Sequence, residues 1–287
     1  MITSPAIRCH GGKFRLAPWI LSRFPDHRIY VEPFGGAAGV LIQKPRAYSE
    51  VYNDLDGELV NFFRVVQDAG LRQQLIEACV FTPYARAEFD LAWLPASDPL
   101  ERARRLIIRA QMGFGSAGAT KGTTGFRIDT KREYETAQHV WAQYPASLAA
   151  LGERLTGVMI ENRPAIDVIS AHDSRHTLFY VDPPYLHETR CRVSMGTDRG
   201  YRHEMTDDDH AELLQALCQV EGMVILSGYP NELYESLLPG WKREDKRARI
   251  SGGRGTSLRT ECIWINEACQ AARSAVQLSM DLARGAA

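Results

Sequence analysis

The segment Leu178-Phe179-Tyr180-Val181-Asp182-Pro183-Pro184-Tyr185 limits the folds open to this chain more than any other. Four apolar, aromatic or β-branched residues in a row show no alternation of polar and apolar faces, so the run reads as a strand buried on both sides. Two consecutive prolines then withhold the N–H groups a ladder needs, and the strand must stop. A strand covered on both faces belongs to a sheet sandwiched between helices. The same texture recurs along the chain. Ile29-Tyr30-Val31-Glu32-Pro33-Phe34 leads into Gly35-Gly36-Ala37-Ala38-Gly39 and a helix start, and Ala47 to Tyr52 is closed by Asn53-Asp54. Further β-rich runs lie at Gly157 to Asn162, Met223 to Ser227 and Glu261 to Asn266, while Leu59, Phe62, Phe63 and Val66 repeat at helical spacing. Strands alternating with helices predict an α/β fold with a largely parallel sheet.

Between Leu71 and Gly152 the pattern changes to Arg- and Ala-rich helical stretches around a glycine-rich loop, Met112 to Gly118. This predicts a discontinuous domain at 1–70 and 153–270, a mainly helical insertion at 71–152, and an Ala-rich tail at 271–287. The 287 residues suffice for one large or two smaller domains, and the formal net charge of −1 confines any nucleic-acid surface to a local patch. The scattered cysteines, with no C-x-x-C, read as reduced thiols. His172 and His176 stand four apart but in a polar segment, so no metal site is expected. Met1 to Pro5 lacks a signal-peptide core and no apolar run is long enough to span a bilayer, which predicts a cytoplasmic protein without membrane contact.

Asp182 and Tyr185 fall just past a strand's carboxyl end, where open α/β sheets bind ligands. A carboxylate there can accept hydrogen bonds from an amino-bearing ring while the tyrosine stacks on its face, which suits the exocyclic amine of a nucleobase. The plainer reading is a strand followed by a proline-rich turn. Gly35, Gly36 and Gly39 let the backbone approach a ligand where a helix begins, and Asp54 follows ~20 residues on, the spacing at which an acid binds ribose hydroxyls. Its alternative role is a helix N-cap. With no G-K-[ST] after the Gly35–Gly39 turn and no full G-x-G-x-x-G at it, the ligand reads as a nucleoside without pyrophosphate. A second glycine turn, Gly11-Gly12-Lys13, sets Lys13 to meet a carboxylate of the ligand or the protein.

Taken in order, Gly11-Gly12-Lys13, Val31-Glu32-Pro33-Phe34-Gly35-Gly36-Ala37-Ala38-Gly39-Val40, Asn53-Asp54 and Asp182-Pro183-Pro184-Tyr185 resemble the signature of the Dam-type (D12 class, α-group) DNA adenine-N6 methyltransferases. The resemblance spans roughly residues 8–66 and 158–266. It departs at Ala38, where many members carry glycine. It implies a Rossmann-like methyltransferase sheet that uses S-adenosyl-L-methionine, with a target-recognition domain inserted before D-P-P-Y. Carried over position by position, Phe34, Gly35, Gly36 and Ala37 through Gly39 would cradle the methionine moiety, with Gly12 and Glu32 beside them. Asp54 would bind the ribose, Asn162 would lie near the adenine, and Lys13 would contact the cofactor carboxylate or the acidic active-site residue. Asp182, Pro183, Pro184 and Tyr185 would hold the target base.

Double-stranded DNA is then the expected partner, bound by a monomer or weak dimer, with a cognate restriction nuclease as a further candidate. The target base must leave the duplex at a cost of a few kcal/mol, offset in part by stacking on Tyr185 worth ~1–3 kcal/mol. Expected DNA contacts are Phe114 as a wedge, Lys121, Arg127, Lys131 and Arg132 around the glycine-rich loop, and Arg249 and Arg254 near the C-terminus. Met195 to Tyr201 is expected to form a flap over the base. Arg102, Arg105 and Arg109, at helical spacing, read equally as phosphate contacts or as a solvated face. The alternatives are RNA adenine-N6 methylation and a non-catalytic DNA-binding protein that keeps the fold. N4-cytosine and protein-glutamine methylation fit less well, since serine and asparagine respectively are commoner where Asp182 stands.

Overall fold

The computed structural model describes residues 2–9, 11–115, 117–119, 124–128, 136–186, 202–252 and 255–274, with backbone alone at 248–252 and 255–259. Its centre is a seven-stranded sheet in the order β3-β2-β1-β4-β5-β7-β6. The strands are β1 (Ile29–Glu32), β2 (Ser49–Asn53), β3 (Val158–Glu161), β4 (Thr177–Val181), β5 (Met223–Gly228), β6 (Lys242–Gly252) and β7 (Gly255–Ile265). The first five are parallel, and β7 runs antiparallel to both its neighbours. This mixed α/β sheet is consistent with the Rossmann-like methyltransferase fold. Each β-rich run read from the sequence is a strand. The eleven-residue β6 was not anticipated, because its charged sequence hides the pairing partner that β7 supplies.

Every residue of β4 and β5 is buried, the outcome of covering both faces of a parallel sheet. Alternate residues feed two separate cores. Tyr30, Tyr52, Tyr180 and Ile225 point to one face, and Val31, Val51, Phe179 and Leu226 to the other. The first face is covered by α1 (Ala17–Leu21), α2 (Gly57–Gln67), α3 (Ala69–Val80), α4 (Arg86–Leu91), α5 (Pro99–Met112) and α6 (Ala137–Leu155). The second carries α7 (Ala165–Ala171), α8 (Asp207–Gln219) and α9 (Glu232–Leu237). The tail is helical over 267–274.

The sequence break expected at residue 71 falls within α3. Leu75 of α3, Leu106 and Ile107 of α5, and Leu148 and Leu151 of α6 join the same apolar cluster as Tyr30, Tyr52 and Tyr180. Within that cluster α3, α5 and α6 pack on α2 and on one another. Local caps fix their starts: Asp98 accepts from the Glu101 N–H ahead of Pro99, and Thr136 caps α6.

Candidate active site

The parallel strands deliver their carboxyl ends to one edge, and the sequence motifs meet there. Asp182 follows the last residue of β4, and Lys13 reaches it from the N-terminal glycine turn, with Nζ 3.0 Å from Asp182 Oδ1. Lys13 is 6% exposed, also donates to the Gly11 carbonyl at 2.9 Å, and lies 4.7 Å from the centre of the Tyr185 ring. Of the two carboxylates offered to Lys13 by the sequence reading, the geometry supplies the protein's own. Burial pushes the Asp182 carboxyl above its ordinary range, and the Lys13 ammonium pulls it back.

Tyr185 is itself buried. Its hydroxyl donates to Glu261 Oε2 at 2.8 Å, and its ring meets Tyr229 edge to face at 4.5 Å. Glu261 (on β7) and Tyr229 (just after β5) carried no signal in the sequence, since neither belongs to a local motif and only the sheet order brings them to β4.

The glycine turn after β1 is shaped by the protein's own packing. A Cβ on Gly35 would lie 2.2 Å from the Tyr52 ring, and one on Gly39 would lie 2.8 Å from the Phe14 backbone nitrogen. Gly36 differs: it has φ +49° and its missing Cβ faces open space. Its N–H donates to Asp54 Oδ2 at 2.8 Å, and its carbonyl accepts from the Tyr52 hydroxyl at 2.8 Å. Ala38 has φ +54°, the only non-glycine residue with positive φ among the described residues. The glycine that many members of the resembling family carry at this position thus has a backbone reason.

Asp54 is not the helix cap. Asp56 caps α2, accepting from the Glu58 N–H, while Asp54 Oδ1 accepts from the Asp56 N–H at 2.8 Å. Each Asp54 oxygen therefore takes one backbone N–H and keeps a lone pair for the cleft. Burial raises its carboxyl to about 6, against the pull of the Asp56 and Gly36 N–H groups. Behind the turn, Glu32 is 2% exposed, and its Oε1 accepts from the Tyr30 hydroxyl at 2.5 Å and the Leu41 N–H at 2.7 Å. Burial raises its carboxyl to about 8.

Asn53, wholly buried, donates to the Pro33 and Arg163 carbonyls and accepts from the Arg163 N–H, fastening the ends of β1, β2 and β3 together. Asn162 donates to the Asp54 carbonyl at 2.7 Å. One cleft unites Gly12, Lys13, Glu32, Phe34, the turn from Gly35 to Gly39, Asp54, Asp182 and Pro184. Arg202 to Met205 also line it, with Arg202 Nε 3.3 Å from Asp56 Oδ2. The N-D-x-D spacing ahead of a helix could have revealed Asp56, but nothing local marks Arg202. The expected flap, Met195 to Tyr201, lies outside the described residues.

The expected nucleic-acid contacts divide. Phe114 is 62% exposed, on a short pairing of 112–114 with 125–127 held by Phe114 N–H to Gly125 O and Arg127 N–H to Met112 O. Arg127 is only 8% exposed, so its backbone belongs to this pairing and its side chain does not face solvent. Lys121, Lys131, Arg132 and Arg254 lie outside the described residues, as does the side chain of Arg249. The α5 arginines are consumed internally. Arg102 pairs with Glu58, Arg104 with Glu88 and Glu101, and Arg105 with Glu101, while Arg109 donates to the Ala92 carbonyl. That face is an ion-pair seam, with Arg102 and Arg105 part-buried. Among the described residues no His, Cys, Asp and Glu group could hold a metal, and no helix is long and apolar enough to cross a membrane.

Residues 10–89 match the family of D12 class N6 adenine-specific DNA methyltransferases. That stretch holds the Lys13 turn, β1, the glycine turn and Asp54, and the match supports an adenine methyltransferase family. No curated protein matches the chain. Among solved structures, the precorrin 8W decarboxylase of Methanobacterium thermoautotrophicum aligns over 88% of both chains with 9% identity and a TM-score of 0.34.

Proposed function

We propose that this chain is a Dam-type DNA methyltransferase that moves a methyl group from S-adenosylmethionine to the N6 amino group of an adenine turned out of the duplex. The observation that carries the reading is the convergence of the glycine turn, Asp54 and the Lys13–Asp182 pair on one cleft at the carboxyl edge of the sheet. The match over residues 10–89 adds the adenine and the DNA.

The cleft suits the cofactor. Gly36 leaves its Cβ side open, Asp54 offers lone pairs to a pair of ribose hydroxyls, and Phe34 and Leu55 give apolar walls for a flat ring. Bound there, S-adenosylmethionine would supply an electrophilic methyl group on its sulfonium. The chain's own contribution is alignment and charge. The Asp182 carboxylate and the Pro183 carbonyl accept hydrogen bonds from the adenine amino group and stabilise the positive charge that develops on its nitrogen. Asp182 must be ionised for this, and the ammonium 3.0 Å away opposes the neutralising effect of burial. Holding the amine in line with the methyl group converts an encounter into a positioned displacement. The exposed Phe114, on the helical layer, is suited to fill the gap a departing base leaves.

Incubating the protein with labelled S-adenosylmethionine and unmethylated DNA, then resolving the nucleosides, tests the reading. N6-methyladenine is the expected product. Label only in RNA, or cofactor binding without transfer to DNA, would refute it.

A further inference from the structure

We infer that the ribbon formed by β6 and β7 is a phosphate-binding arm that grips a DNA duplex beside the cleft. This rests on the DNA reading of the active site and adds a second contact surface to it.

The pairing register defines the arm. β5 pairs with β7 only from Ile225↔Ile265 to Gly228↔Cys262, whereas β6 and β7 stay paired from Lys242↔Ile265 out to Gly252↔Gly255. From Lys246↔Glu261 onward the two strands therefore have no third strand beside them among the described residues. The overhang leaves the sheet past the carboxyl end of β5, on the same side as Asp182 and Tyr185. Its root is tied to the D-P-P-Y turn beside the cleft, because Glu261 on the first free rung accepts the Tyr185 hydroxyl at 2.8 Å.

Charge separates this arm from the other basic segment. Residues 246–259 contain Lys246, Arg247, Arg249, Arg254 and Arg259 and no acidic residue, in a chain whose formal charge is −1. The rest of the chain is accordingly acidic, and the excess positive charge is gathered in this one stretch of sequence. Lys246 and Arg247 are exposed, with no ion pair among the described residues, while the α5 arginines are matched by Glu58, Glu88 and Glu101. A two-stranded ribbon is narrow enough for the major groove, and unpaired cations on it exchange their counterions for phosphates. Charged residues also keep free sheet edges from pairing with other chains, and a salt series separates the two roles.

Duplex binding is measured by fluorescence anisotropy over a range of salt concentrations for the full chain and for K246Q/R247Q and K246Q/R247Q/R249Q/R254Q. We expect at least ~10-fold weaker binding at 0.15 M salt for the four-fold variant. The slope of log affinity against log salt should fall by ~0.9 for each phosphate that the variant no longer neutralises, with cofactor affinity unchanged. The double variant changes two exposed side chains and guards against misfolding of the larger one. A wild-type slope and affinity in both variants, with or without aggregation, would overturn the arm as a DNA contact. A wild-type chain that binds no duplex even at low salt would sink the methyltransferase reading itself.

Discussion

The hydroxyl of Tyr185 donates to Glu261 across 76 residues of sequence, at 2.8 Å, and so fixes a ring that the D-P-P-Y motif alone would leave free to turn. Lys13 over one region of that ring and Tyr229 at its edge complete the setting. Tyr185→Phe should keep the apolar ring but strand a carboxylate that is 7% exposed, costing about 1–3 kcal/mol in urea unfolding. Methyl transfer should drop by roughly tenfold, about 1.4 kcal/mol of alignment, with cofactor affinity unchanged. Glu261→Gln, which can still accept the hydroxyl, should lie close to wild type, and Glu261→Leu should behave like the phenylalanine variant. Equal losses in Gln and Leu would show that the negative charge, not the hydrogen bond, matters.

Asp182→Asn should lower methyl transfer by ~10²–10³-fold, the scale seen when one charge-stabilising group is removed. It also leaves the Lys13 ammonium buried beside a neutral amide. Breaking a buried pair from one side costs about 3 kcal/mol. Lys13→Met/Asp182→Leu should recover most of the stability and none of the activity. A double variant that loses as much as Lys13→Met and Asp182→Leu added together would mean that the two side chains are not coupled.

Glu32 sets a pH dependence. The folded chain holds its proton up to about pH 8, whereas the unfolded chain releases it near 4.5. The native state therefore binds more protons between those values, and stability falls as pH rises through that window. Asp54, raised from 3.8 to about 6, adds a loss of the same sign at lower pH. Glu32→Gln retains an acceptor for Tyr30 and Leu41 and should flatten the decline, with a gain of about 1.4 kcal/mol for each unit of pKa separation removed. Urea midpoints at pH 6 and pH 9 measure it, and an unchanged slope would remove Glu32 as its source. Cofactor affinity should move the other way, rising as Asp54 ionises through about pH 6.

Ala38 offers a test of competing terms. A left-handed φ costs an L-residue ~1–2 kcal/mol. Glycine would relieve that, yet it gives up a buried methyl worth ~0.8 kcal/mol and a further ~0.4–1 kcal/mol of chain entropy. Ala38→Gly should thus stay within about 1 kcal/mol of wild type, whereas Ala38→Val, branched at a buried left-handed position, should lose more than 2 kcal/mol on the order given by backbone strain. A tolerated valine would show that the turn can rearrange.

Phe114→Ala should leave stability within about 0.5 kcal/mol, as its ring is mostly in solvent. If the ring fills a vacated base position, duplex binding should weaken by ~1–3 kcal/mol. Unaltered binding would assign the exposed ring no part in it.

Strand positions were legible because β4 and β5 are continuous apolar runs and β1 ends in glycines, signals that act within a few residues. That Lys13, Gly36, Asp54 and Asp182 would meet at one edge of the sheet was legible for the same reason, since each stands in a short motif at a strand or helix end. Glu261, Tyr229 and Arg202 were hidden because their roles arise from strand order and from a segment folding back over the cleft. Arg127 and the α5 arginines misled because composition counts charges but cannot see that Glu58 and Glu101 already answer several of them, or that Arg127 is inside. The insertion looked separate because helical texture begins near residue 71, while the packing that fuses it to Tyr30 and Tyr52 is long-range.

Leu75, Leu106 and Leu148 share one apolar cluster with Tyr52 and Phe63, so α3, α5 and α6 have no separate core among the described residues. Removing them would take apolar cover from α2, on which they pack. On the proposed DNA reading, a new target preference would have to be reached with these helices kept in place, by exchanging side chains rather than by grafting a whole domain.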